Sequence, residues 1–141
     1  MKITPIFHIL SILIMPLSGF MMVSGFVDFV YNNQNWINFF ISATITLFVG
    51  MSVFLATRGH NDQNVDLRQA FILTTMSWIT IAFFGALPFY LSNINLNFTD
   101  SFFESMSGIT TTGSTILINI EASPPGILAW RSLLQWLGGI G

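Results

Sequence analysis

FTDSFFESMSGITTTGSTIL, residues 98–117, runs from an acidic helix-start signal into three threonines and a glycine. Its surroundings make so polar a turn unexpected. Only 7% of the 141 residues are charged and 52% are apolar, whereas a soluble domain carries roughly 25% charged residues. Apolar runs long enough to cross a bilayer lie on both sides of it. At membrane depth a polar turn is tolerated only where it is buried in protein or lines a water-filled path.

Composition excludes several classes of function. A formal net charge of −2 without a basic patch argues against nucleic acid as a partner. The absence of cysteine removes disulfides and thiolate metal sites. His8 and His60 are isolated, and neither stands in a metal-ligand spacing such as H-E-x-x-H. No nucleophile–base pair is apparent, so the chain does not read as an enzyme and no cofactor is expected. Lys2 ahead of an apolar run imitates a secretion signal. That run continues to Val27 with no A-x-A-like cleavage site, so a retained transmembrane helix is expected. Asn97-Phe98-Thr99 matches a glycosylation sequon, a short pattern that also arises by chance.

Three segments can span a hydrocarbon core about 30 Å thick, which takes about 20 helical residues. They are Ile3 to Val27, with Pro16 and Gly19 as an expected kink, then Trp36 to Thr57, then Ala70 to Leu91. Tyr31 and Trp36 flank the first connection as interfacial anchors. The linker TRGHNDQNVDLR, residues 57–68, holds Arg58 and Arg68, while the connection at 28–35 has no Lys or Arg. With Lys2, that asymmetry puts the N-terminus and the 57–68 linker in the cytoplasm. After Leu91 come an asparagine-rich loop, a short helix over Asp100 to Ser107, the polar turn, a break at Ser123-Pro124-Pro125-Gly126 and a further apolar helix from Ile127. The order is span, short re-entrant helix, polar turn, span. The apolar run still under way at Gly141 reads as the front of a longer protein.

ITTTGST has the composition of a pore lining. A cation sheds its water only where fixed oxygens replace it, and inward-pointing backbone carbonyls supply them. Gly113 can take a positive φ at little cost, which helps successive carbonyls point one way. Thr99 or Ser101 is expected to cap the short helix, with Ser101 and Glu104 spaced as a capping box. The helix C-terminus then turns partial negative charge towards a cation. The alternative is a plain helix–helix connector in a non-conducting assembly or anchoring subunit. Glu104 and Arg131 flank the loop. A lone charge at the bilayer centre costs on the order of 2.5–3.5 kcal/mol, so two readings stand. In one the two form an ion pair, and exchanging the charges should recover part of what either loss removes. In the other Arg131 reaches to the outer interface and Glu104 merely caps the helix. Gly138, Gly139 and Gly141 suit close helix packing better than a hinge.

DSFFESMSGITTTGSTIL followed by WRSLLQWLGGIG, with ALPFYLS upstream, closely resembles the first repeat of Trk-type potassium uptake proteins (the TrkH/TrkG type). The resemblance divides the chain into 1–67, an N-terminal transmembrane pair with its cytoplasmic linker, and 68–141, a helix–pore loop–helix repeat cut in its second helix. The implied fold is an all-α membrane protein with potassium-channel-like repeats, four of which surround one ion path. It implies that Thr110, Thr111, Thr112 and Gly113 form one quarter of a selectivity filter, with Thr111 and Thr112 the foremost potassium ligands and Glu104 and Arg131 as support. Ser114 stands where the family tolerates small residues. Three further repeats and the family's gate loop are absent from these residues. The resemblance further implies potassium uptake through the bacterial inner membrane, channel-like or by proton symport. Its implied partners are a second copy of the chain and a cytosolic nucleotide-binding regulatory subunit.

Overall fold

The computed structural model describes residues 3–59 and 66–140. Lys2, His60, Gly141 and the middle of the 57–68 linker lie outside the described residues. Within them the chain is helical, with no strand: α1 (Thr4–Val30), α2 (Trp36–Thr57), α3 (Leu67–Gly85), α4 (Leu87–Leu91), α5 (Phe98–Ile109) and α6 (Pro125–Ile140). A single 3-10 turn at Ile120–Ala122 precedes α6. Among the described residues, three segments are long and apolar enough to cross a membrane: Thr4–Val30, Trp36–Thr57 and Leu67–Leu91.

α1 has 27 residues, about 40 Å at 1.5 Å per residue, and continues as one helix through Pro16 and Gly19. Its buried stripe is Ile6, Leu10, Ile14, Leu17 and Met21, at spacings of three and four. The rest of its surface carries Phe7, Ile12, Val23, Phe26 and Phe29, all exposed. In water that surface would be polar; an apolar one suits lipid or further protein. Ser11, Ser18 and Ser24 lie on the buried side, where small residues let backbones approach.

α1 and α2 form an antiparallel hairpin. A Cβ on Gly25 would lie 2.9 Å from Phe39 Cβ, and one on Gly50 would lie 3.2 Å from Ile14. At the far end His8 Nδ1 meets Thr57 Oγ1 at 2.9 Å, and its ring stacks on Phe54. The connection turns at Asn32, with φ +56°, a conformation asparagine enters more readily than most residues. Trp36 sits edge-on between Phe29 and Phe40.

The third span is divided rather than continuous. Asp66 and Gln69 form a capping box that opens α3, and α3 stops at Gly85, just before α4. Pro88 is the cause: it brings no N–H to the ladder. The bond it omits is the one to the Phe84 carbonyl. Beside that gap the Gly85 carbonyl accepts the indole N–H of Trp130 at 3.0 Å, so the break becomes a docking point for α6. Leu17, Met21, Phe39 and Ala43 from the first two helices share one core with Phe89, Ile127, Trp130 and Leu134. The N-terminal pair and the later helices are therefore packed as one body.

Candidate functional site

The short helix begins earlier than sequence reading placed it. α5 covers Phe98–Ile109, and its N-cap is Asn97, whose side chain accepts the Asp100 N–H at 2.8 Å. Neither Thr99 nor Ser101 caps it; the Ser101 hydroxyl donates to the Asn97 carbonyl instead. Phe98 draws the start upstream by packing edge-on against Phe83 and Tyr90. Glu104 is therefore in the middle of the helix and takes no part in a capping box. Asp100 remains in the first turn, where a carboxylate suits the helix dipole.

At the other end the backbone closes tightly. The Thr111 N–H donates to the Gly108 carbonyl at 3.0 Å, and the Thr112 N–H to the Ser107 carbonyl at 3.0 Å. This is a Schellman closure, whose left-handed position is usually glycine. Here it is Thr111, with φ +57°, a conformation that costs a residue bearing a Cβ roughly 1–2 kcal/mol. Gly113 follows at φ +77° and its N–H also turns to the Ser107 carbonyl, at 3.4 Å. A Cβ on Gly113 would find only Gln135 Nε2, at 3.8 Å. Its conformation, not crowding, is what calls for glycine here.

These bonds fix where the carbonyls point. No cis peptide occurs among the described residues, and in a trans peptide the C=O lies opposite the N–H. The N–H groups of Thr111, Thr112 and Gly113 all face the last turn of α5. The carbonyls of Thr110, Thr111 and Thr112 therefore face away from it, towards the exposed side of the loop. Left-handed residues alternate with right-handed ones in such a ribbon, which gathers N–H groups on one side. The Thr110 and Thr112 hydroxyls meet at 2.9 Å. At Ser114 the direction reverses: its carbonyl accepts the Ser107 hydroxyl at 2.5 Å.

Behind the loop Glu104 is a clamp. One carboxylate oxygen accepts the Thr115 hydroxyl at 2.6 Å and the Ile116 N–H at 2.7 Å. The other accepts Arg131 Nε at 3.1 Å. The Glu104 side chain is fully buried and that of Arg131 is 15% exposed. The two residues flanking the loop in sequence do meet, and together they fasten the segment that leaves it. A stripe on α6 holds Arg131 in place. The Gly126 N–H donates to Asp28 Oδ1 at 2.6 Å, Trp130 bonds Gly85, and Leu134 lies against Gly85 and Gly108. At Gly138 a Cβ would overlap the Ile109 carbonyl, as expected of close packing; Gly139 has nothing near it.

Thr110, Thr111, Thr112 and Gly113 thus share one exposed loop, and Glu104 and Arg131 one buried contact. Sequence reasoning missed Ser107, Thr115, Asp28 and Gly126. Only the Ser107–Ser114 and Glu104–Thr115 bonds are local enough for a helix-then-strand reading to have suggested them.

A family model described as the cation transport protein TrkH matches residues 35–141. The chain is 39% identical over 137 residues to the Trk system potassium uptake protein TrkI of Halomonas elongata, covering 97% of this chain and 28% of that one. It is 37% identical over 136 residues to an uncharacterized cation transporter of Methanocaldococcus jannaschii, covering 96% and 28%. Against the crystal structure of the potassium transporter TrkH from Vibrio parahaemolyticus the TM-score is 0.94 at 31% identity, covering 100% of this chain and 30% of that chain. The chain spans less than a third of the length of these relatives. The similarity reaches well upstream of residue 68 and takes in the N-terminal helix pair. With three apolar spans, a short capped helix and the loop behind it all inside the matched region, the chain belongs to the TrkH family of cation transport proteins.

Proposed function

We propose that this chain forms part of a potassium uptake pore and supplies one of four filter loops around a single ion path. The observation that carries the reading is the shared direction of the Thr110, Thr111 and Thr112 carbonyls, set by three N–H bonds to the end of α5. A potassium ion loses its hydration shell only if oxygens replace it from all sides. One loop provides one wall, and three others from the rest of a transporter of the relatives' length complete the ring. Thr111 and Thr112 are the main ligands, Thr110 and Gly113 extend the wall, and Glu104 with Arg131 keeps it in place. Arg58 and Arg68 against a connection at 28–35 without Lys or Arg orient the loop towards the outside of a bacterial inner membrane. Kinship with potassium uptake proteins extends the proposal to a homodimer associated with a cytosolic nucleotide-binding subunit.

The test is Gly113→Ser in the complete transporter, expressed in cells lacking other potassium systems. A Cβ at φ +77° costs roughly 1–2 kcal/mol and displaces the Thr111 and Thr112 carbonyls, while the surrounding helices are untouched. Membrane abundance should hold, rubidium uptake should fall, and sodium should be rejected less well. Unchanged rate and selectivity at normal abundance would reduce the loop to a helix connector in an anchoring subunit.

A further inference from the structure

Asp28 is a fully buried carboxylate near the end of α1, remote in sequence from the loop. Each of its oxygens meets an N–H group. Oδ2 accepts Asn35 Nδ2 at 3.2 Å across the turn to α2. Oδ1 accepts the Gly126 N–H at 2.6 Å, a contact spanning 98 residues. Gly126 is the second residue of α6, where the first N–H groups have no partner within the helix and the dipole favours a negative charge. A Cβ on Gly126 would collide with the Asp28 carboxylate, so glycine is what lets the two approach.

From that contact α6 continues as a bar. Gly126, Trp130, Leu134 and Gly138 recur every four residues on the face turned to α1, α3 and α5. Arg131 stands five residues beyond Gly126, about 7.5 Å along the axis. There it bonds Glu104, whose other oxygen holds Thr115 and Ile116. The chain of contacts from Asp28 to the segment leaving the loop has no gap: carboxylate, helix start, guanidinium, carboxylate, backbone.

We propose that Asp28 is a positioning residue for the filter, fixing the register of α6 and, through Arg131 and Glu104, the outer end of the loop. The N-terminal pair is then part of the selectivity machinery as well as a membrane anchor. This rests on the loop being a filter.

The experiment compares Asp28→Ala, Asp28→Asn, Glu104→Gln, Asp28→Ala with Glu104→Gln, and Gly113→Ser in the complete transporter, reading sodium and rubidium uptake per molecule in the membrane. Asp28→Ala is expected to raise the sodium-to-rubidium ratio about three- to tenfold, within the range reported for coupling through packed networks. Asp28→Asn keeps an oxygen for the Gly126 N–H and should give a smaller rise. The Asp28–Glu104 double variant should exceed the larger single by little, since both act through one linkage. If Asp28→Ala does not reach the membrane, Asp28→Asn, which preserves shape, decides alone. A normal ratio in the Asp28 variants alongside an altered one in Gly113→Ser overturns the inference and leaves the filter standing. A normal ratio in all of them overturns both.

Discussion

Glu104→Gln isolates what the buried pair contributes. The glutamine oxygen can keep both the Thr115 hydroxyl and the Ile116 N–H, which share one carboxylate oxygen. Its NH2 then faces Arg131 Nε, donor against donor, where a 3.1 Å bond stood. Removing one member of a buried ion pair costs about 3–5 kcal/mol. The Arg131 side chain is 15% exposed and has a path to water, so about 3 kcal/mol is expected, roughly a hundredfold in the folding equilibrium. Arg131→Met strands the fully buried Glu104 carboxylate without its counter-charge. Only the Thr115 and Ile116 donors offset it, so this change should cost at least as much, towards the upper end of about 3–5 kcal/mol. The exchange of the two residues is the informative case. Charge alone predicts recovery, which is what the sequence suggested. The structure predicts none: arginine at 104 has no acceptor, and it would oppose two donors that glutamate holds. The exchanged variant should be worse than either single. The assay is the temperature of half-loss of monodisperse transporter in detergent, with rubidium uptake per molecule alongside. Recovery to near the parent level in the exchanged variant would refute the clamp and leave only an ion pair.

Gly138→Ala puts a methyl group into the Ile109 carbonyl and should destabilise the transporter by about 1–3 kcal/mol through overpacking. Gly139→Ala meets nothing within 4 Å and should be neutral, or up to ~1 kcal/mol stabilising from helix propensity; the same thermal assay separates the two, and equal losses would contradict the packing described. These 141 residues contain no cysteine, so single cysteines placed in them report topology once any elsewhere in the complete transporter are replaced. One at Asn33 should react with an impermeant thiol reagent from outside and one at Gly59 should not, and the reverse pattern would invert the loop.

The spans were legible because run length against bilayer thickness is a one-dimensional question. The loop was legible because Thr and Gly are the residues a carbonyl-lined turn needs. The Glu104–Arg131 contact followed from the cost of leaving either charge alone in an apolar chain. Other features depend on partners far along the sequence. Asn97, Thr99 and Ser101 all suit an N-cap, and only the seat of Phe98 against Phe83 and Tyr90 selects the first. The division of the third span needed Pro88 and also Trp130, which comes 45 residues after the carbonyl it satisfies. A left-handed threonine at 111 contradicts local preference; the closure of α5 imposes it. Nothing near Asp28 announces Gly126.

That last contact also has a timetable. At roughly 5–20 residues per second of synthesis, the 98 residues separating Asp28 from Gly126 take about 5–20 s to appear. Asn35, seven residues on, follows within about a second or so at the same pace. The carboxylate is thus half satisfied almost at once and waits for its second partner while two further spans and the loop are made. Of the helices described here, α1 emerges before the others, yet its buried carboxylate is completed only when α6 appears.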